Sequence, residues 1–265
     1  MAVEGHGNQG VGLTGSSRGS DVAVRYRRGD GSFVDTTLRR LPFDDVLSGR
    51  PVREFRSWKG RKHYSGWYWS ATMLAHVAYE SRLEMMRILV ADQNPSVVKI
   101  ASQPFRLQGF DDSGVRHRHV PDILLEQADA GLTLIDVKSV EELAKPEIVA
   151  LLEWTRNLCD KFGLTYEIWS GDDPIRLANL RFLAGYRRST TLNADLVPFV
   201  LRAAQAPIPM SHLENQLAHV ERTLLIRPVI LHLLWRGWLL ADLSKVLSRG
   251  TMVSVNQSAS EETRQ

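Results

Sequence analysis

Apolar and polar positions divide the chain into a strand-rich first part and a helical second part. Val22, Val24 and Tyr26 alternate with polar residues, Gly29-Asp30-Gly31 supplies a turn, and Phe33-Val34 begins a return. Residues 21–38 therefore predict a β-hairpin. The stretch 39–62 has no period and predicts a basic loop. Over 70–91, Leu74, Val77, Ala78, Leu83, Ile88 and Leu89 recur near helical spacing, Ser70 or Thr72 can cap, and Asn94-Pro95 stops the helix. Strand-like runs follow at 97–101, 105–110, 115–125 and 132–137, separated by turns at Asp111-Asp112-Ser113-Gly114 and Asp129-Ala130-Gly131. A second amphipathic helix spans 145–162, closed by Gly163, and a short strand covers 164–169. Helix, strands, helix, strand implies an α/β layer around a mixed central sheet flanked by helices.

The pattern changes near Asn193. Residues 196–204, 211–217 and 222–235 are helical, with Pro207 and Pro209 between the first two. Leu239-Leu240 and 252–255 flank Ser248-Arg249-Gly250, which suits a small β-wing. The fold class expected is α/β: a core with a mixed central sheet flanked by helices, then a small helical, winged-helix-like C-terminal domain. A plain helical oligomerisation or docking domain fits 191–255 equally well. The expected divisions are a flexible leader at 1–20, a catalytic domain at 21–190, the C-terminal domain at 191–255 and a disordered tail at 256–265. Within the catalytic domain lie a hairpin and basic loop (21–69), a core (70–170) and a connector (171–190).

Composition narrows the class. A single cysteine, Cys159, excludes a disulfide framework and a cysteine-rich zinc site. No run approaches the roughly 20 apolar residues of a membrane span. The Gly/Ser-rich start has no apolar signal-peptide region, so a cytoplasmic protein without membrane contact is expected. The net charge of +3 is small, but Arg50, Arg53, Arg56, Lys59, Arg61 and Lys62 crowd one segment against the single acid Glu54. Tyr64, Trp67, Tyr68 and Trp69 follow at once. Arg53, Arg56, Lys59, Arg61 and Lys62 are thus candidate DNA-phosphate contacts, or a solvated loop leading into a buried aromatic strand.

Chemistry gathers at Pro121-Asp122 and Asp136-Val137-Lys138. Residues two apart on a strand share a face, so Asp136 and Lys138 project together, and Asp122 lies on the preceding strand. Two carboxylates and one ammonium can then converge. Magnesium or manganese takes such oxygen ligands, with the Val137 backbone carbonyl as an extra donor. One or two ions would orient and activate water for phosphodiester hydrolysis, and Lys138 would hold the water or stabilise the transition state. A third carboxylate is expected from the first helix, where Glu80 and Glu84 lie four apart. Periodicity does not choose between them. Alone, Asp136 and Lys138 suit an ordinary strand-end ion pair; the place of Asp122, Asp136 and Lys138 on two neighbouring strands between two helices favours a restriction-endonuclease-like core.

The runs Tyr79-Glu80-Ser81-Arg82-Leu83-Glu84, Asn94-Pro95-Ser96-Val97-Val98, Ala101-Ser102-Gln103-Pro104-Phe105, His119-Val120-Pro121-Asp122 and Ile135-Asp136-Val137-Lys138 resemble, in order, the N-terminal catalytic domain of the TnsA family. These are endonuclease subunits of heteromeric transposases, and the resemblance spans roughly 53–169. It implies Glu84 rather than Glu80 as the helix ligand, with Asp122 and Asp136 as the others, Lys138 as the catalytic lysine and Gln103 in support. Glu80 then supports the site by pairing with Arg82, Arg87 or solvent; apart from the resemblance, both glutamates could simply solvate the helix. A strand-end amide tied to backbone is an equal reading of Gln103. The best-known member carries glutamine at the position of Asp136, and aspartate is closer to the wider superfamily. The resemblance also implies double-stranded DNA at transposon ends, cut at the 5′ ends, a DDE-type transposase partner, an ATPase regulator and nucleoid association during action. A homodimer is compatible with it.

Two other readings use the same features: a non-cleaving DNA-binding or assembly module on this fold, and a stand-alone restriction or repair nuclease. His117 and His119 have strand parity opposite to Asp122 and are expected to face away from it. Cys159, Trp235 and Trp238 read as core. No phosphate loop, dinucleotide fingerprint or nucleophile elbow is present.

Overall fold

The computed structural model of the chain describes residues 22–53 and 64–257. The leader 1–20, the basic residues Arg56, Lys59, Arg61 and Lys62, and nearly all of the expected tail lie outside the described residues.

The predicted hairpin is β1 (Ala23–Arg27) and β2 (Phe33–Thr37), turned at Gly31, whose φ of 92° suits glycine. The basic loop after it contains a short helix, α1 (Phe43–Leu47), because Val46 and Leu47 find a core to bury in. The helix expected over 70–91 is shorter. Its first part is instead an antiparallel pair, β3 (Gly66–Ser70) and β4 (Ala75–Tyr79), and α2 (Arg82–Gln93) starts later. Trp67, Tyr68, Trp69 and Val77 favour strand, and Ser81 rather than Ser70 or Thr72 caps α2, accepting from the Glu84 N–H at 3.0 Å. Buried Asp92 near the end of α2 accepts from Tyr68 Oη (2.8 Å), Ser70 Oγ (2.5 Å), Ala71 N (3.1 Å) and Thr72 N (2.8 Å), which pins the β3–β4 turn to the helix.

Next come β5 (Val97–Ser102), β6 (Phe105–Phe110), β7 (Arg116–His119), β8 (Ile123–Gln127) and β9 (Leu132–Val137). The single strand expected at 115–125 is two. Pro121 has no N–H to offer a ladder, and β7 and β8 join different sheets. Opposite that break, Gln103 adopts a φ of 44° between β5 and β6. β5–β6 and β7–β8 are thus one long hairpin bent in the middle. Its outer half pairs in the antiparallel sheet β2-β1-β6-β7. Its inner half belongs to a mixed sheet with β9 and β10 (Thr165–Trp169), ordered β10-β9-β8-β5, in which only β10–β9 is parallel.

Between β9 and β10 run α3 (Val140–Leu143) and α4 (Pro146–Phe162), the latter ending at Gly163 with φ 71°. One face of the mixed sheet buries Ile123, Leu125, Ile135 and Val137 against Ile88 and Ala91 of α2. The other buries Leu124 and Leu134 with Trp154 and Cys159 of α4 and with Val24, Tyr26, Phe105 and Leu107 of the antiparallel sheet.

The stretch 171–190 is more than a connector: it forms α5 (Pro174–Leu183), started by Asp173, whose carboxylate accepts from Arg176 N. Beyond it lie α6 (Val197–Ala203), β11 (Ile208–Pro209), α7 (Met210–Gln216), α8 (Thr223–Trp235), β12 (Leu239–Leu240) and β13 (Met252–Val255). The three short strands order as β11-β13-β12, all antiparallel. Leu180 and Leu183 of α5 and Leu89 of α2 share a core with Val229, Ile230, Leu233 and Trp235 of α8. Trp235 is fully buried and Trp238 partly so. Among the described residues no helix is long and apolar enough to cross a membrane.

Asp92→Ala leaves four donors without their acceptor, so it is expected to cost about 3 kcal/mol in urea denaturation. A loss below about 1 kcal/mol would show that the turn holds without this carboxylate.

Candidate active site

The bend in the hairpin builds the site. The register pair Ile123–Ile135 is followed outward by Asp122 and Asp136, which are neighbours across the two strands and share the α4 face with Leu124 and Leu134. Past the end of β8 the Asp122 N–H still reaches the Ile135 carbonyl at 3.0 Å, while the carboxylate takes over as acceptor. Asp122 Oδ2 accepts from Val137 N at 2.7 Å and from Lys138 Nζ at 2.8 Å. Asp122 Oδ1 accepts no hydrogen bond among the described residues. Lys138 Nζ also donates to the Val137 carbonyl at 3.1 Å and stands 3.7 Å from Asp136 Oδ1.

Asp136 is fully buried and differently partnered. His119 Nε2 lies 2.8 Å from both carboxylate oxygens, and Tyr166 Oη donates to Oδ2 at 2.5 Å. A carboxylate only accepts, so the proton of this contact is on His119 Nε2. The expectation that His119 faces away from the site does not hold. The break at Pro121 resets the strand parity on which it rested. His117 shares that inward face but is engaged elsewhere on it: its Nε2 is 2.8 Å from Asp111 Oδ2, and its ring stacks on Trp154 of α4.

These surroundings set the two aspartates apart. Burial raises the pKa of Asp122, and the nearby charge of Asp136 adds to that against the pull of Lys138. Burial would raise Asp136 too, but the hydrogen bond and charge of His119, then Lys138 and Tyr166, hold it below the ordinary carboxylate value. Burial would lower Lys138, but Asp122 and Asp136 raise it, so it stays an ammonium. Cys159, beside Asp136, is pushed up to about 12, first by burial. It is an inert core thiol, as its place in the sequence suggests.

Glu84 and Glu80 do not share a helix face, since Glu80 precedes α2. Glu84 is buried in the first turn, and its Oε2 accepts from Glu80 N at 2.9 Å. Its pKa is raised to about 7, chiefly by burial and then by the charge of Asp122, which ties it electrically to the aspartates. Glu80 turns to Arg53, whose Nη1 lies 3.2 Å from its Oε2. Gln103 is held by backbone on both sides: its N–H donates to the Asp122 carbonyl (2.8 Å) and its carbonyl accepts from Val52 N (3.0 Å). Its side-chain Nε2 and Oε1 are buried with no partner. The amide is therefore not tied to backbone, and it is a polar group beside Asp122 still to be satisfied.

The donor set fits a hard divalent cation. Three buried carboxylates are coupled in one region against a single ammonium, and an amide beside them has unused hydrogen-bonding capacity. Among the described residues no three such side chains stand in a ready coordination shell. Lys138 supplies the positive charge at Asp122, and His119 with Tyr166 engages Asp136. Sequence reasoning did not anticipate His119 and Tyr166. Pro121 was the available signal for the first; the parallel pairing of β10 with β9, which places Tyr166 opposite Leu134, has no local signature.

A mixed sheet between helices, with acids on adjoining strands and a lysine two places after the second, defines the class as an α/β carboxylate–lysine site. Residues 94–171 match the family model described as TnsA-like endonuclease N terminal, which implies the restriction-endonuclease-like fold. The match covers under a third of the chain. It takes in Gln103, Asp122, Asp136 and Lys138 and begins after Glu80 and Glu84, so the resemblance first seen over 53–169 is borne out in its larger, C-terminal part. No curated protein matches the chain.

A carboxyl whose pKa is higher folded than unfolded adds stability below the unfolded value and withdraws it as pH rises through the folded one. For Glu84 that window runs from the ordinary 4.5 to about 7. In chelator, Glu84→Gln is expected to be more stable than the parent at about pH 8, by about 2–3 kcal/mol, and equal to it near pH 4. Parallel stability–pH curves would contradict the burial of this charge.

Proposed function

We propose that the chain is a metal-dependent DNA endonuclease that hydrolyses phosphodiester bonds at transposon ends. The observation that carries the reading is Asp122 opposed to Asp136 with Lys138 between them, inside the stretch that matches the TnsA-like endonuclease family. Glu84, Asp122 and Asp136, with the Val137 carbonyl, would hold one or two magnesium or manganese ions. Such ions supply positive charge to the scissile phosphate and acidify bound water.

The chain's own groups have separable tasks. Lys138, which Asp122 and Asp136 favour as an ammonium, would donate hydrogen bonds to a phosphate oxygen or to the attacking water. His119 and Tyr166 keep Asp136 ionised and aimed. Gln103 offers its amide beside Asp122. Glu80, paired with Arg53, donates its N–H to Glu84 and so orients that carboxylate.

The family also supports double-stranded DNA as substrate and a DDE-type transposase as partner, with the cut at the 5′ ends and an ATPase regulator in the assembly. Residues 191–255 suit a winged-helix-like unit. What supports this is the order of three helices with a three-stranded antiparallel sheet closing after α8. With α5 packed into the same core, this unit is braced against α2, the helix that carries Glu84.

Calorimetry with magnesium or manganese tests the site without a partner or a known DNA sequence. The wild type is expected to bind, Asp122→Ala and Asp136→Ala to lose the signal while staying folded, and Lys138→Met to keep it but lose cleavage. Absence of binding by the wild type at millimolar metal with DNA present would overturn the endonuclease reading in favour of a non-cleaving DNA-binding module. Binding and cleavage of DNA with no transposase present would favour a stand-alone nuclease.

A further inference from the structure

The outer face of the antiparallel sheet carries an unusual charge pattern. The inner face of β1 and β6 buries Val24, Tyr26, Phe105 and Leu107, so by strand alternation Arg25, Arg27 and Arg106 point outward. The register pairs Gln108–Arg118 and Phe110–Arg116 put two more arginines of β7 on the same outward face. Five arginines thus share one sheet face with a single acid, Asp35 of β2, which lies 3.7 Å from Arg25.

The pattern works against folding. Arg25 and Arg106 are direct cross-strand partners, and Arg118 is diagonal to Arg106. Like charges directly opposite each other on a sheet are destabilising, at roughly 5 Å for partners and 7–8 Å for diagonals. Their mutual field is felt: burial, then the charges of Arg118, Arg25 and Arg53, depresses the pKa of Arg106. Arg106, Arg116 and Arg118 make no ion pair or hydrogen bond among the described residues. Packing gives no reason for them, since the core lies on the other side of the sheet.

Position gives a reason. β6 and β7 are the outer halves of the bent hairpin whose bend holds Gln103 and Asp122. The residue after Arg118 is His119, which binds Asp136. Arg53 extends the row from Arg106 to Glu80, whose N–H holds Glu84. The row of arginines therefore continues through Arg53, whose charge reaches Arg106 and which pairs with Glu80, toward the carboxylates.

We propose that this sheet face is a docking surface for the phosphate backbone of duplex DNA, laid so that the strand to be cut continues from Arg118 and Arg106 past Arg53 to Asp122. The proposal rests on the endonuclease reading for its direction only; the surface itself stands on charge and register. Guanidinium forks match phosphate oxygens, and a flat row across three strands suits a regular backbone better than a pocketed ligand. Single-stranded DNA would use aromatic platforms. Among the described residues the face exposes only two rings against five arginines: Phe33, with Arg25 and Arg27 at 4.9 and 5.3 Å over it, and Phe110 at its far edge. The charge therefore favours the duplex, and a single-stranded probe is the contrasting arm of the test. Because DNA neutralises the row, the repulsion that costs the free protein stability is relieved on binding.

The test is fluorescence anisotropy with a labelled linear duplex, in chelator so that nothing is cut, between roughly 50 and 200 mM salt. Each lost phosphate contact lowers the slope of log affinity against log salt by about one. Arg106→Gln/Arg118→Gln is expected to lower it by about two, while Arg106→Lys/Arg118→Lys retains it and the α5 variant Arg181→Gln leaves it unchanged. The glutamine variant should melt no lower than wild type, since it removes repulsion. An unchanged slope in that variant overturns the proposal, as does a loss confined to a single-stranded probe. Calorimetric metal binding by the same variants separates the two readings. Metal binding with an unaltered slope removes the surface and leaves the endonuclease. An altered slope in a protein that binds no metal removes the endonuclease and leaves the surface.

Discussion

Two carboxylates that face each other across adjoining strands, away from water, are the constraint around which this fold is arranged. Neither Asp122 nor Asp136 can be charged there without donors aimed at it, and bringing both into one region multiplies the cost. The chain meets that cost asymmetrically. Asp122 receives a backbone N–H and the Lys138 ammonium, and burial still raises its pKa. Asp136 receives an imidazole N–H and a phenol as well as the field of Lys138, and stays below its ordinary range. One acid is therefore held below the ordinary carboxylate value, while a second, along with Glu84, is pushed above it.

Supplying those donors requires groups from both sheets, and the bent hairpin delivers them. His119 ends β7 in the antiparallel sheet, whereas Asp136 and Tyr166 lie on β9 and β10 of the mixed sheet. They meet because Pro121 stops the ladder and Gln103 turns the opposing strand with a φ of 44°. The same break frees Val137 N from its backbone partner so that it donates to the Asp122 carboxylate. The local irregularity is what allows a side chain to stand in for a strand, and it explains why the buried Gln103 amide is left beside the site with its polar atoms unmatched.

Much of this was legible in the sequence, where the signals are short-range. β6 and β9 fall on the residues that alternation assigned, and Gly163 ends α4 as its position after the apolar stripe required. Asp136 and Lys138 share a face for the period-two reason alone. The start of α2 was misplaced because Leu74, Val77 and Ala78 mimic helical spacing. Ser81 followed three residues later by Glu84 is the capping signature that outweighs them. His119 was lost by carrying strand parity through a proline. Tyr166 and the pinning of β3–β4 by Asp92 depend on contacts between elements far apart in sequence, which no window on the chain reports.

Charge is separated in a way that net composition conceals. A formal charge of +3 reads as nearly neutral, yet the acids of the site are turned inward between sheet and helices while arginines are gathered on one outward sheet face. Alternation makes this possible on a single hairpin, since Arg118 and His119 are consecutive but face opposite sides, one toward solvent and one toward Asp136. On the proposed reading, a polyanion drawn to the basic face would be repelled by the carboxylates at the bend. Lys138 between the aspartates and Arg53 on Glu80 lower that repulsion along the way. Setting Arg25 against Arg106, and Asp122 against Asp136, costs stability that Asp35 and Lys138 offset from within the chain and that a charge from outside would offset further. A protein tuned for folding alone would keep neither pair; on the proposed reading, β6 and β7 carry the backbone-binding Arg106 and Arg118 on the same bent hairpin whose bend holds Asp122.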